Sequence, residues 1–226
     1  MKVTYYGHSC FELNISGKSL LLDPFITPNP KAKDIKIESI KPDFMLISHG
    51  HGDHIADAVA IAHQSSPVVV SNYEIITWLE KQGVENGKGC NHGGTFKFDF
   101  GSVKYVNAIH SSSLPDGSYG GNPGGFVIKS SDKNIYYAGD TALTMDMKLI
   151  AEETNIDVAF LPIGDCFTMG IDDAIKAADF VKCNKIIGMH YNTFPPIEID
   201  EADAVKRFKE KGKELILINI GDSIEI

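Results

Sequence analysis

The chain has 226 residues, 43% hydrophobic and 23% charged, and Asp plus Glu outnumber Lys plus Arg by 30 to 21 for a formal charge of −9. A chain of this size buries about 70% of its surface on folding, which excludes a disulfide mini-protein, a disordered polymer and a fibrous repeat. The acidic balance speaks against extended nucleic-acid binding, and no apolar run is long enough for a membrane span.

The opening MKVTYYGHSCFEL alternates like a strand and lacks the apolar centre of a signal peptide. It predicts a hairpin: Lys2–Tyr6, Cys10–Ile15, a Ser16-Gly17-Lys18 turn, then Ser19–Leu22. Phe44–Ser48 is a buried-strand run. Ile55, Ala58, Val59 and Ala62 recur at helical spacing. Val68–Ser71 is strand-like, and Ile75, Ile76 and Leu79 mark a second helix closed by Gly83. Phe96–Phe98 and Val103–Ile109 follow as strands. Ser113–Gly125 carries five glycines without the GK[ST] ending of a phosphate-binding loop, so it is expected to be a mobile flap or a tight connection. Further strands are expected at Phe126–Lys129, Ile135–Ala138, Val158–Leu161, Lys185–Gly188 and Leu215–Ile218. Helices are expected at Asp172–Val181, with Asp172 as N-cap, and at Asp200–Lys211. No linker divides the chain. Grouped strands followed by helices suit one four-layer α/β domain over residues 1–226.

The chemistry concentrates in Ser48-His49-Gly50-His51-Gly52-Asp53-His54, where four metal-ligand types fall within six residues. Gathering three imidazoles and a carboxylate is costly unless they coordinate something. Gly50 and Gly52 let the backbone fold tightly around them. Downstream, apolar runs stop at His110, at Asp140 after Gly139, and at His190. One such residue at a strand end is commonplace; these three, with His49 after Phe44–Ser48 as a fourth, point to a shared site.

HGHGDH at 49–54, then His110, Gly139-Asp140-Thr141 and His190, resembles the metallo-β-lactamase superfamily of metal-dependent hydrolases. Gly7-His8-Ser9, Asp23-Pro24-Phe25, Leu161-Pro162-Ile163-Gly164-Asp165 and Gly188–Phe194 resemble a branch related to ascorbate-phosphate lactonases. The resemblance implies an αββα sandwich of two mixed β-sheets with helices on the outer faces. It also implies a first divalent metal on His49, His51 and His110, a second on Asp53, His54 and His190, and Asp140 bridging them. His49 and His51, two apart on an extended segment, can face the same way. Zn²⁺ is the expected ion, with Mn²⁺, Fe²⁺ or Ni²⁺ as substitutes. The implied reaction is attack by a hydroxide bridged between the metals on an ester, lactone or phosphoester bond of a small metabolite, anionic ones included. The resemblance suggests Asp53 as the catalytic residue that orients that water or takes its proton.

His8, in a glycine-flanked turn, is expected either at the pocket rim as a substrate-binding residue or behind the ligands. Asp23 and Asp165 are expected to orient ligating histidines. Cys90 and His92 are too few for a metal site, and His63 is expected on the surface. Cys10, Cys90, Cys166 and Cys183 form no CxxC pair, which suggests reduced thiols in a cytoplasmic protein. The expected partner is a small-molecule substrate, with neither nucleic acid nor membrane; a homo-oligomer is compatible with the sequence. Three other readings remain: a nuclease of the same superfamily, an acyl-homoserine lactonase, and a non-catalytic metal-binding protein.

Overall fold

In the computed structural model, which describes residues 1–226, the alternating N-terminal segments form an antiparallel meander of β1 (Lys2–Gly7), β2 (Cys10–Ile15) and β3 (Lys18–Leu22). Three parallel strands extend it: β4 (Phe44–Leu46), β5 (Val68–Asn72) and β6 (Gly87–Cys90). The second half repeats this plan. β7 (Thr95–Phe98), β8 (Gly101–Asn107), β9 (Gly124–Ser130) and β10 (Asn134–Tyr137) run antiparallel to their neighbours. β11 (Val158–Pro162), β12 (Lys185–Met189) and β13 (Glu214–Ile216) then add in parallel. A last strand, β14 (Ser223–Glu225), crosses back to pair with β1, so each sheet has seven strands.

Period-two alternation decides the layering. Leu20, Leu22, Phe44, Leu46 and Val70 face the second sheet and join a core of 43 buried residues that includes Phe11, Phe126, Tyr137 and Phe160. Their neighbours Leu21, Met45, Ile47 and Val69 face the other way. They pack under α1 (Gly52–Ile55), α2 (Ala58–Ser65) and α3 (Tyr73–Lys81) in a second core of 17. On the far side, α4 (Met147–Glu153), α5 (Ile171–Phe180) and α6 (Glu201–Glu210) bury Met147, Ile150, Ala174, Ala177, Ala178, Ala204 and Phe208 against the first core. The result is two mixed sheets with helices outside. No helix is long and apolar enough to cross a membrane.

The expected helix through Ile55–Ala62 is two pieces. Asp57 breaks it, its amide donating to Pro24 O at 3.0 Å and its carboxylate accepting from Ile26 N and Thr27 N at 2.6 and 2.9 Å. Asp172 is not the N-cap of α5. Gly170 holds that position, and Asp172 instead pairs with Arg207 of α6. β6, α4 and β14 have no counterpart among the expected elements. In β6 glycine conceals the strand: a Cβ at Gly87 would meet Ile76 Cγ2 at 2.5 Å, so close crossing of α3 overrides strand propensity. The glycine-rich segment is a tight connection. Asn72 Nδ2 donates to Gly120 O at 2.7 Å, Ser112 Oγ accepts from Gly50 N at 3.0 Å, and Leu114 is buried.

Phe160 is fully buried between the sheets, its ring centroid 5.0 Å from that of Phe11. Phe160→Ala is expected to lower unfolding free energy by about 3–5 kcal/mol. Chemical denaturation should show this as a lower midpoint at unchanged slope, while Val205→Ala on exposed α6 surface stays within about 0.5 kcal/mol.

Candidate metal centre

His49, His51, His110, Asp140 and His190 sit in the segments just past strands, and Asp53 and His54 in the short helix that follows one. β4 runs through Ile47 and Ser48 into His49 and His51, and α1 supplies Asp53 and His54. His110 and Asp140 each follow their strands, β8 and β10, by three residues, and His190 follows β12 directly. Backbone strain sets the final turns. His8, Asp23 and His190 lie in the left-handed region at φ 58°, 42° and 55°. Such positions cost about 1–3 kcal/mol each and persist only when neighbours hold them. Here His190 N donates to His8 O at 2.9 Å, Tyr5 OH donates to the same carbonyl at 3.1 Å, and Asp23 N donates to Leu46 O at 3.0 Å. At Gly139, φ 61°, a Cβ would stand 2.6 Å from Gly124 O and 2.8 Å from Ser48 Cβ, so only glycine lets Asp140 turn inward.

The side chains meet around Asp140. Its Oδ2 lies 2.9 Å from His190 Nε2, 3.2 Å from His54 Nε2, 3.6 Å from His110 Nε2 and 4.0 Å from His49 Nε2. Asp53 Oδ2 is 3.8 Å from His190 Nε2 and 3.9 Å from His54 Nε2. Donor atoms fall into three groups close enough to hold an ion: His49, His51 and His110; His8, Asp53, His54 and His190; and, overlapping these, Asp23, His49 and His54. Four ligands about 2.0–2.1 Å from a tetrahedral ion are separated by about 3.3 Å, so these spacings suit a shared cation. Protein-only bonding does not satisfy them. His54 Nε2 and Asp140 Oδ1 are buried without a hydrogen-bond partner, although His54 Nε2 is in ion-pair range of Asp140 Oδ2. Buried polar atoms are rarely left so, and a divalent cation fits this donor set.

Hydrogen bonds behind the ligands determine which nitrogen faces inward. Asp23, fully buried, accepts from Ser48 N at 2.7 Å, Ser48 Oγ at 2.6 Å, Tyr137 OH at 2.7 Å and His54 Nδ1 at 2.8 Å. The Ser48 proton is therefore committed, and its oxygen accepts from His49 Nδ1 at 2.9 Å. Both imidazoles are thus held through Nδ1 with Nε2 turned inward, the nitrogen a metal would take once it carries no proton. Burial pushes His49 well below the ordinary histidine range and also lowers His51 and His110. Burial would lower His54 too, but Asp140, Asp53 and Asp23 outweigh it and raise His54. Asp53 and Asp140 are driven below the usual carboxylate range: burial opposes this, and the neighbouring histidines, His54 foremost, prevail. Two ionised carboxylates beside the neutral His49, His51 and His110 thus call for positive charge at the centre, and without an ion they draw it onto His54.

His8 is not at the rim. Its ring is fully buried, with Nδ1 2.9 Å from Thr193 Oγ1 and Nε2 3.1 Å from Asp53 Oδ2, and burial lowers it to about 4. A sealed ring cannot meet substrate from solvent, so it holds Asp53 from behind or joins the second group of donors. Asp23 does orient a histidine. Asp165 does not: its Oδ1 accepts from Cys166 N at 2.8 Å. His63 bonds to Gln82 O on the surface, and His92 bonds to Pro123 O. Ser48, Tyr137 and Thr193 were not anticipated, since a lone hydroxyl in or beside an apolar run carries no sequence signal.

Residues 2–190 match the family model described as beta-lactamase superfamily domain. A UPF0173 metal-dependent hydrolase of Flavobacterium johnsoniae is 55% identical over 226 residues, and one of Christiangramia forsetii is 58% identical over 227, each covering 100% of both chains. Among solved structures, Igni18, a metallo hydrolase from the archaeon Ignicoccus hospitalis, matches with TM-score 0.89 at 34% identity, covering 100% of this chain and 98% of its own. An isothiocyanate hydrolase from Delia radicum gut bacteria shares the fold, with TM-score 0.81 at 20% identity over 100% of this chain and 99% of its own.

Asp23→Asn keeps the size of the buried side chain but weakens its hold on His54. Metal affinity is expected to fall about 10- to 100-fold, read by competition with a chromophoric chelator, while far-ultraviolet circular dichroism stays native.

Proposed function

Since this chain belongs to the beta-lactamase superfamily and is a metal-dependent hydrolase, we propose that it holds two divalent cations and cleaves an ester, lactone or phosphoester bond of a small metabolite. His49, His51 and His110 would hold one ion and Asp53, His54 and His190 the other, with Asp140 between them. The observation that supports this most is the inward convergence of these seven side chains around a buried carboxylate oxygen and a buried imidazole nitrogen that lack partners. Zn²⁺ is the preferred ion on this donor set, with Mn²⁺, Fe²⁺ or Ni²⁺ able to replace it. Such a pair supplies an activated water and offsets the negative charge that develops at the scissile centre.

The protein's own groups do the positioning. Asp53 is the carboxylate of the cluster open to solvent, 31% exposed against 2% for Asp140. It is placed to orient an incoming water and to accept its proton at a carboxylate oxygen, and His8 Nε2, on Oδ2, holds it in place. Ser111 Oγ, 3.4 Å from His51 Nε2, stands beside the first ligand group on the exposed side. A formal charge of −9 works against a nucleic-acid substrate. The four free cysteines suit a reducing compartment, and we assign the protein to the cytoplasm.

The test compares metal-depleted with metal-restored protein on a panel of carboxylic esters, lactones and phosphodiesters. Turnover should vanish on depletion and return with the ion; equal rates in both states end this reading. Asp140→Ala should abolish turnover and bind less than the full complement of metal by elemental analysis. Ion present at about 100 times its dissociation constant should stabilise the native protein by about 2.7 kcal/mol, seen as a higher melting temperature.

A further inference from the structure

Between β11 and α5 the chain turns sharply through Asp165–Met169. Two consecutive non-glycine residues there are left-handed, Asp165 at φ 62° and Cys166 at φ 59°. Strain of this kind is kept where the surroundings hold it, and it concentrates at functional segments. The clamp is visible: Asp165 N donates to Met169 O at 3.0 Å, and Met169 N donates to Thr141 O at 3.1 Å. Thr141 follows Asp140 in the chain, and its hydroxyl accepts from Ile109 N at 3.0 Å; Ala142 N donates to Ile109 O at 3.0 Å. One hydrogen-bonded row therefore joins the strained turn to the residue after Asp140 and the residue before His110.

Along this row apolar side chains face water. Met169 is buried and anchors the turn, whereas Phe167 is 54% exposed, Ile109 51% and Met145 62%. Isolated exposed hydrophobic residues need no explanation, but these sit on three adjoining loops beside a metal-ligand cluster. Charge points the same way. Residues 110–123, 138–146, 163–170 and 190–199 contain no Lys or Arg, yet they carry Asp116, Asp146, Asp165 and Glu198 in addition to Asp140. Lys31 lines a cavity with Tyr5, Tyr191, Thr193 and Glu201 to which none of the seven ligand-type side chains contributes. An anionic substituent beside the scissile bond would find no side-chain cation on these loops, whereas an apolar one finds rings and branched chains.

We propose that Phe167, presented by the strained turn beside Asp140, is a specificity-determining residue that receives an uncharged, apolar substituent of the substrate, with Ile109 sharing the contact. This rests on the hydrolase reading above and narrows its substrate class to neutral esters or lactones with a hydrocarbon portion. Apolar burial gives the expected size of the effect, about fourfold per methylene that is fully covered.

The metal-loaded protein is assayed on 4-nitrophenyl acetate, butyrate, valerate and hexanoate, and on the 4-nitrophenyl monoester of glutaric acid. kcat/KM should climb with chain length, and the anionic glutarate ester should trail valerate at least tenfold. Phe167→Ala should flatten the climb by raising KM at nearly constant kcat, with metal content and melting temperature unchanged. Phe167→Leu should restore most of the climb, and Phe167→Lys should narrow or reverse the gap to the glutarate ester. Calorimetric binding of acetohydroxamic and hexanohydroxamic acids gives a readout independent of turnover, with the longer acid binding more tightly to native protein but not to Phe167→Ala. The proposal is overturned by a preference of native protein for the anionic ester, by an unchanged length dependence in Phe167→Ala, or by a Phe167→Ala effect on solution molar mass alone. Absence of metal-dependent turnover on every ester would instead sink the hydrolase reading, and the hydroxamate series would still decide the role of Phe167.

Discussion

The centre depends on one buried carboxylate that never faces the pocket. Asp23 leaves the end of β3 in a left-handed turn and accepts from Ser48, Tyr137 and His54. Ser48 belongs to the loop after β4 in the first sheet, and Tyr137 ends β10 in the second. One side chain thus ties both sheets to the histidine that approaches Asp140. Burying a carboxylate is expensive unless it is hydrogen-bonded, and here one donor reaches Oδ1 and three reach Oδ2. The network therefore acts both as a structural rivet and as the device that chooses the imidazole tautomer.

Around that rivet the fold divides labour between rigid strands and constrained loops. The two sheets share a dense aromatic core, with the Phe160 ring against both Phe11 and Tyr137, so the strand ends are fixed platforms. Around the centre, strain sits in the turns that leave those platforms. His8, Asp23, Asp165 and His190 all adopt left-handed backbone, and Gly139 does so where a side chain would strike Gly124 and Ser48. Strain borne by packed strands is how a small domain aims several ligands at one point without long flexible loops. The same construction extends outward: the row from Ile109 through Thr141 to Met169 couples the backbone beside His110 and Asp140 to the apolar turn next to them.

Much of this was legible in the residues themselves. Period-two alternation in Lys2–Leu22 and the apolar runs at 44–48, 68–71, 158–161 and 185–188 mark strands because half-buried and buried sheets impose those patterns. The density of His and Asp at 49–54 marks a candidate metal site because gathering these groups is costly unless they coordinate something. Three elements were hidden for definite reasons. In β6, Gly87 is present to clear Ile76, which erases strand propensity. α4 has one short apolar face, Met147 and Ile150, and β14 has only three residues.

Local chemistry alone therefore determined the residue types, their places at strand ends and the layered architecture, since periodicity and ligand affinity are properties of short segments. Tertiary structure alone decided the partners. Whether His8 met substrate or lay sealed behind Asp53, whether Asp165 oriented a histidine or shaped a turn, and which hydroxyls set the imidazole tautomers all depended on residues up to 185 positions apart in the chain. Such pairings follow from sheet register and backbone strain, which no short stretch of sequence records.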